Sequence, residues 1–347
     1  MSGRVAVIGT GSWGTTLAWL LAGKGSEVAL CTRTEAEACA LRSERENKVF
    51  LPGVRLPDNL DITNDLAQAV DDADLVLVAV PAATMRDNLQ RLRDHLSPDA
   101  ILVSATKGLE PGTALRMSEV MCRELPEESW CRIAVLSGPN LAREVAAGLP
   151  TAAVAAAEDE GVAQRVQVEV MTSRYLIYTN ADIVGVEMGG ALKNIIAITA
   201  GICDGMHYGD NAKSALMTRG LAEITRLGIA AGASPLTFAG LAGVGDLLAT
   251  CASAYSRNHY VGEQLAKGRK VADIRASMKM VAEGVPTTAE ACRLATRYGV
   301  RMPITTLLHT VLFEGRDLQD AIAELLNREA RPELGGMQAP NLGQRNS

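Results

Sequence analysis

Short apolar runs recur through the first half of the chain and then stop. Arg4–Ile8, Glu27–Cys31 and the stretches 75–80, 101–105, 133–136, 152–156 and 175–178 are each a few residues long and rich in Val, Ile, Leu and Ala. Runs that are apolar on both faces suit strands buried in a parallel sheet. Helical patterns separate them, the first running from Gly9 to about Gly23. This alternation predicts an α/β unit with a doubly wound, mostly parallel sheet.

From Asp182 the texture becomes helical throughout. Val186, Gly190, Lys193 and Ala197 are spaced to share one helix face, as are Met217, Leu221, Ile224 and Gly228. Thr287 with Glu290 reads as a capping box opening a helix that runs to about Tyr298. Leu318, Ile322 and Leu325 mark a last amphipathic helix, and beyond Ala330 a Pro-, Gly-, Asn- and Gln-rich segment has little to bury. The expected organisation is an α/β unit over 1–181, an all-α unit over 182–330 and a loose tail over 331–347, with the boundary near 180–182. No internal repeat is visible.

The chain has 347 residues, 48% hydrophobic and 21% charged, an ordinary globular balance of about two-domain length. Only 3% is aromatic, so the cores must be built from aliphatic side chains. The net charge of −6 argues against a general nucleic-acid binder. The N-terminal apolar run is too short for a signal-peptide core. The segment 188–203 comes nearest to a membrane span but is short and carries Lys193. Seven cysteines without a Cys-x-x-Cys pair suggest reduced thiols in a cytoplasmic protein. Four scattered histidines give no reason to expect a metal site.

The first strand leads into Gly9-Thr10-Gly11-Ser12-Trp13-Gly14, which opens a helix. Glycines here allow a tight turn and let backbone N–H groups reach a pyrophosphate. This points to a dinucleotide, against the alternative of a glycine-rich helix entry. At the end of the second strand stands Arg33, suited to a 2′-phosphate, with Glu35 close enough to serve a ribose hydroxyl instead. NADP or NAD is the expected cofactor.

Lys193 is the only charged residue between Glu187 and Asp204, and no acid lies three or four positions from it. Apolar surroundings lower a lysine's pKa and make it usable in proton transfer. The alternative is a buried stem with a head that reaches water. Lys107 follows the strand-like run 101–105, where open α/β sheets bind ligands. Ser137-Gly138-Pro139-Asn140 ends another run: Gly138 permits close approach and Asn140 offers a donor, unless both are ordinary turn residues. The glycine-dense segment 240–246 ends in Asp246, placed either to orient a lysine or to cap a helix. In Ser256-Arg257-Asn258, the arginine offers a planar fork for phosphate and its neighbours add neutral donors.

Together these segments resemble the bacterial-type NAD(P)-dependent glycerol-3-phosphate dehydrogenases over about residues 4–325. The likeness rests on 9–14, Ala105-Thr106-Lys107-Gly108-Leu109-Glu110, Ser137-Gly138-Pro139 and Gly189-Gly190-Ala191-Leu192-Lys193-Asn194. It continues through Gly209-Asp210-Asn211-Ala212-Lys213, Thr218-Arg219-Gly220, 240–246, Thr250-Cys251, Ser256-Arg257-Asn258 and Glu283-Gly284. The resemblance implies an N-terminal Rossmann domain, an all-α C-terminal domain and a homodimer. It implies reversible reduction of dihydroxyacetone phosphate to sn-glycerol 3-phosphate, a precursor of glycerophospholipids. Lys193 then matches the proton donor and acceptor, assisted by Lys107 and Asp246. Lys107 also meets cofactor and substrate, and Gly138, Asn140, Asp246, Ser256, Arg257 and Asn258 match substrate-contacting positions. Ser12, Trp13, Arg33, Ala142, Val281 and Glu283 match cofactor-contacting ones beside Gly9, Gly11 and Gly14, and Arg257 serves both. The family often has Ser or Thr where Asn140 stands.

Two rival readings keep the same fold. One is a two-domain reductase acting on a carboxylate substrate. The other is a non-catalytic NADP-binding regulator, which would have no need of Lys107, Lys193 and Asp246.

Overall fold

The computed structural model describes residues 3–278 and 280–327. The tail expected over 331–347 lies outside the described residues. An eight-stranded sheet organises the first half. Its strands are β1 (Arg4–Ile8), β2 (Glu27–Cys31), β5 (Leu60–Thr63), β6 (Leu75–Val78), β7 (Ile101–Ser104), β8 (Ile133–Ser137), β9 (Thr151–Ala157) and β10 (Tyr175–Asn180). A separate hairpin pairs β3 (Glu46–Asn47) with β4 (Leu51–Arg55). The sheet order is β10-β9-β8-β7-β6-β1-β2-β5, parallel except where β8 meets β9.

The doubly apolar runs have a direct cause. Val5 and Val7 of β1 face one layer with Leu17 and Leu21 of the helix Ser12–Lys24. Ala6 and Ile8 face the opposite layer with Leu66, Val70 and Leu89. Both sheet faces are covered, so alternation with polar residues is absent. The chain order reverses at β1, between β6 and β2, which opens a crevice at the carboxyl ends of the strands. The expected run 75–80 ends as a strand at Val78, and 101–105 ends at Ser104. β5 and the hairpin were not visible in the sequence pattern. β5 is a four-residue edge strand, and β4 carries Pro52 and Gly53, residues that argue against a strand when read alone.

Asp182 starts the helical half. Its Oδ1 accepts from Gly185 N at 2.8 Å, and its Oδ2 accepts from Ser234 N at 2.9 Å and Thr237 Oγ1 at 2.6 Å. The helix that follows, Ile183–Gly205, is buried along almost its whole length. It is long and apolar enough to cross a membrane by composition, but 78% of its most apolar stretch lies inside the protein. The helices Gly209–Ala230, Asp246–Ala252, Arg257–Ala266, Gly284–Tyr298 and Pro303–Phe313 pack around this core helix, and Leu318–Leu326 packs on the last of them. Glu187 ties it back to the first half, accepting from Arg116 Nη1 at 2.7 Å and Ser118 N at 2.8 Å.

The expected capping box is absent. The helix begins at Gly284, so Thr287 and Glu290 lie inside it. Pro286 stands in the first turn, where its missing N–H costs nothing. Glu290 accepts instead from Gly112 N at 2.9 Å, joining the two halves of the chain.

Candidate functional site

Lys193 sits mid-way along the core helix and is only 5% exposed. Its Nζ donates to Asp246 Oδ1 at 2.6 Å and to Thr250 Oγ1. Burial drives its pKa down to about 8 from 10.5, with Asp246 opposing the shift and Lys107 adding to it. Lys107 enters from the end of β7. Its Nζ donates to Asp246 Oδ2 at 2.7 Å and to the carbonyl of Gly138 at 2.7 Å. Asp246, 1% exposed, therefore holds one ammonium on each oxygen. Two cations on one anion leave a surplus positive charge where a developing alkoxide would be stabilised.

Within the segment leading to Asp246, a Cβ on Gly243 would stand 2.1 Å from the carbonyl of Phe238, and the core helix is itself bare where the segment crosses it. A Cβ on Gly189 would stand 2.4 Å from the carbonyl of Ala242. The chain makes one wide turn over Leu241–Gly245 and passes directly into the helix Asp246–Ala252. Asp246 is the first residue of that helix, not its cap, and its side chain is committed to the two lysines. Thr250 lies one turn later on the same face, a spacing that would have singled it out from sequence once Asp246 was chosen.

Beside Lys107, Gly138 adopts φ +121°, a conformation that only glycine takes without strain. The Oδ1 of Asn140 accepts from the buried Tyr175 hydroxyl at 3.1 Å, while its Nδ2 has no partner among the described residues. The Ser137 hydroxyl is likewise buried without a hydrogen-bond partner among the described residues. A Cβ on Gly190 would stand 2.4 Å from it, so the core helix must be bare at that point.

Ser256 caps the helix Arg257–Ala266, its Oγ accepting from His259 N at 3.2 Å. The N–H groups of Arg257 and Asn258 remain for an anion, with the dipole of the helix behind them. The Arg257 side chain is exposed and makes no hydrogen bond or ion pair among the described residues. Asn258 is different. Its Oδ1 accepts from Gly284 N at 2.9 Å, and its Nδ2 donates to Asn194 Oδ1 at 2.8 Å. Its amide ties three helices together, leaving one amide hydrogen and the backbone N–H for a ligand. Asn194 closes the motif Gly189-Gly190-Ala191-Leu192-Lys193-Asn194, but nothing local marks Asn258 as its partner.

At the crevice, Gly9 has φ +109°, and a Cβ there would stand 2.7 Å from the carbonyl of Ala79. Gly11 caps the following helix without a side chain, so the first N–H groups are unclaimed. The buried Trp13 indole N–H has no hydrogen-bond partner among the described residues, and its ring meets Tyr175 edge-on at 6.0 Å. Ser12 Oγ donates to the carbonyl of Phe50 at 2.7 Å. Ala142 opens the short helix Ala142–Ala146 near Gly138 in sequence, and Val281 is exposed on the approach to Glu283. Glu283 Oε1 accepts from Ala82 N at 3.2 Å. Burial raises its pKa, against the lowering effects of that bond and of Arg257.

Arg33 is exposed at the end of β2. Glu35 pairs with Arg42 at 2.9 Å. The acid that faces the glycine loop is Glu37, which accepts from Thr10 Oγ1 and, at 3.3 Å, from Arg33 N. Asn47 braces the same loop, its Nδ2 donating to Thr10 O and Thr15 Oγ1 at 2.9 Å each. Neither residue was legible beforehand, because the hairpin carrying Asn47 was not. The loop has the bare turn and unclaimed donors that a dinucleotide pyrophosphate requires.

Two family profiles match in order along the chain. The NAD-dependent glycerol-3-phosphate dehydrogenase N-terminus matches residues 4–163, and its C-terminus matches residues 182–323. A relative from Geobacter sp. strain M21, named glycerol-3-phosphate dehydrogenase, NAD(P)+, is 49% identical over 96% of this chain and 99% of its own. The chain belongs to the glycerol-3-phosphate dehydrogenase family. The Streptomyces coelicolor member of that name is 51% identical over 95% of this chain and 98% of its own. The crystal structure of the glycerol-3-phosphate dehydrogenase of Coxiella burnetii superposes with a TM-score of 0.89 at 35% identity, covering 94% of this chain and 99% of that one. A Rossmann-type sheet followed by a helical half is thus the fold of this dehydrogenase family.

Proposed function

We propose that the protein reduces dihydroxyacetone phosphate to sn-glycerol 3-phosphate with NADPH or NADH, reversibly, in the cytoplasm, and so feeds glycerophospholipid synthesis. The observation that carries the reading is Asp246 shared between Lys107 and Lys193 at the mouth of the dinucleotide crevice. Family membership supports the substrate, and the seven free thiols suit a reducing compartment. When bound, the nicotinamide supplies a hydride to C2. Gly9, Gly11 and Gly14 of the loop, with Ser12, Trp13, Arg33, Ala142, Val281, Glu283 and Arg257, would hold the cofactor.

The residues of the chain then do three things. Arg257, Ser256 and the backbone of Asn258 hold the phosphate, so that remote binding energy fixes the reacting carbon. Lys107, Gly138 and Asn140 line the other end of the substrate. Lys193 gives a proton to the C2 oxygen as the C=O π bond breaks, and takes it back in oxidation. Lys193 is left neutral after reduction, a state its burial makes accessible. Asp246 and Thr250 keep its Nζ in place.

The assay that tests the reading offers three substrates to the purified protein. NADPH should be consumed with dihydroxyacetone phosphate and not with pyruvate or ketopantoate. Turnover of ketopantoate would favour the carboxylate reductase, and no turnover at all the regulator.

The domain division at 181/182 and the homodimer belong to the same reading. A groove of about 1280 Å³ on the helical half, lined by Leu216, Ile229, Leu307, Val311, Ile322 and Leu326 among others, supports a second copy as partner. Sedimentation of wild type and Val311→Asp should give a dimer and a monomer. Identical monomers would remove the dimer.

A further inference from the structure

The segment Gly209-Asp210-Asn211-Ala212-Lys213 stands out in the sequence, yet among the described residues no hydrogen bond or ion pair links it to Lys107, Lys193 or Asp246. Its lysine meets the last turn of the core helix, where Lys213 Nζ donates to Asp204 Oδ2 at 2.5 Å. His259 Nε2 lies 2.6 Å from the same oxygen. Burial would raise the Asp204 pKa, but the bonds from Lys213 and His259 outweigh it and hold the carboxyl below its usual range. An ionised carboxylate only accepts, so Nε2 carries the hydrogen.

His259 belongs to the first turn of the helix Arg257–Ala266, and its backbone N–H is the one bound by the Ser256 cap. Farther along, this helix touches the core helix backbone to backbone. A Cβ on Gly262 would stand 1.9 Å from the carbonyl of Ile198, and one on Gly201 would stand 2.0 Å from the carbonyl of His259. The middle of the short helix is held by close packing, whereas its N-terminal end is held by side chains: Asn258 to Asn194 on one side and His259 to Asp204 on the other. Asp204 lies about three turns beyond Lys193 on one rigid helix. The same aspartate, if unpaired, would place a negative charge behind an anion site. Lys213 offsets that charge, and His259 donates to it.

We propose that Asp204, acting through His259 and braced by Lys213, is the positioning group that aims the Arg257–Asn258 helix end at the substrate phosphate and sets its distance from Lys193. The proposal rests on the reading that this helix end holds the phosphate. Misplacement by an ångström at such a site is costly, because orientation supplies much of the rate.

The test compares dihydroxyacetone phosphate with dihydroxyacetone, which lacks the phosphate, in wild type, His259→Ala, His259→Gln and Lys213→Met. His259→Ala should raise KM for the phosphorylated substrate about tenfold, with kcat/KM for dihydroxyacetone unchanged. His259→Gln places an amide N–H near the position of Nε2 and should recover most of the loss. Lys213→Met removes the outer brace without opening the core and should shift KM the same way by a smaller factor, which keeps the test decisive if His259→Ala folds poorly. An unchanged KM in both His259→Ala and Lys213→Met, equal losses for the two substrates, or failure of glutamine to restore would overturn the proposal. A wild-type enzyme with no preference for the phosphorylated substrate would instead remove the reading beneath it, before any variant is made.

Discussion

Lys107 and Lys193 bind the two oxygens of a single carboxylate, Asp246 Oδ2 at 2.7 Å and Oδ1 at 2.6 Å. One lysine arrives from a strand end of the α/β half and the other from the core helix of the helical half. Neither has an acidic partner in its own element. The aspartate thus joins the two halves at the point where the proposed reaction would deliver a proton.

The pH dependence follows from the sign of the Lys193 shift. A pKa of about 8 means that its ammonium predominates below that pH and its amine above it. Reduction, which needs the proton, should lose kcat above about pH 8, and oxidation should gain through the same range. Stability moves with it: between about 8 and 10.5 the unfolded chain binds the proton that the folded chain has released, so folding strengthens as pH rises. Paired pH–rate profiles in the two directions check this. Profiles that bend the same way would exclude Lys193 as the titrating group.

Lys193→Ala should lower kcat by about 10²–10⁴-fold, the usual worth of a positioned proton donor, while NADPH still binds. Turnover and fluorescence titration of NADPH on the same preparation separate the two effects. A variant with near-normal turnover would make Lys193 structural.

Asp246→Asn keeps the shape and removes the charge between the lysines. Asp246 raises the Lys193 pKa, so its loss should move the pH limb for reduction to lower pH and lower kcat at neutrality. The repulsion between the two ammonium groups is then unopposed. A limb that stays in place would show that Asp246 does not set the proton affinity of Lys193.

Arg257→Ala should raise KM for the phosphorylated substrate by about 10–100-fold, the worth of one charge-assisted hydrogen bond. The side chain is exposed, makes no hydrogen bond or ion pair among the described residues and is attracted only at longer range by Glu283, so thermal stability should change little. Melting curves beside steady-state kinetics decide whether the loss is in binding or in folding.

Arg33→Ala should reduce kcat/KM for NADPH by about tenfold relative to NADH, if the exposed guanidinium meets the 2′-phosphate. Glu37 is engaged by Thr10 and the Arg33 backbone, and Glu35 by Arg42, so neither offers a free carboxylate to a ribose hydroxyl. Steady-state comparison of the two cofactors in wild type and variant measures the ratio directly. A ratio that does not move would place the 2′-phosphate elsewhere.

Much of the fold was legible because its strands are apolar on both faces and its helices follow a clear period. The loop Gly9–Gly14 was legible because its backbone turn demands glycine at fixed positions. β5 and the hairpin were not, since a four-residue edge strand and a strand containing Pro and Gly carry almost no local signal. The capping box at Thr287 failed for a related reason. Its residues have the right types and spacing, but the helix had already begun at Gly284; Glu290 serves a tertiary contact and the buried Thr287 hydroxyl has no hydrogen-bond partner among the described residues.

The sequence by itself determined which residues have unusual local surroundings: a lysine isolated in an apolar stretch, an aspartate behind three glycines, an arginine between a serine and an asparagine. What it left open was whom they meet. Lys193 had no partner within reach along its own helix, and the bland reading of a buried stem stood beside the chemical one. Only the tertiary structure supplied Asp246 and Thr250 to its ammonium, turned Asn258 inward to Asn194, and set Glu37 rather than Glu35 against the cofactor loop. Periodicity reports which face of an element is buried. Electrostatic partnership depends on the placement of elements far apart in the chain, and no local pattern encodes that distance.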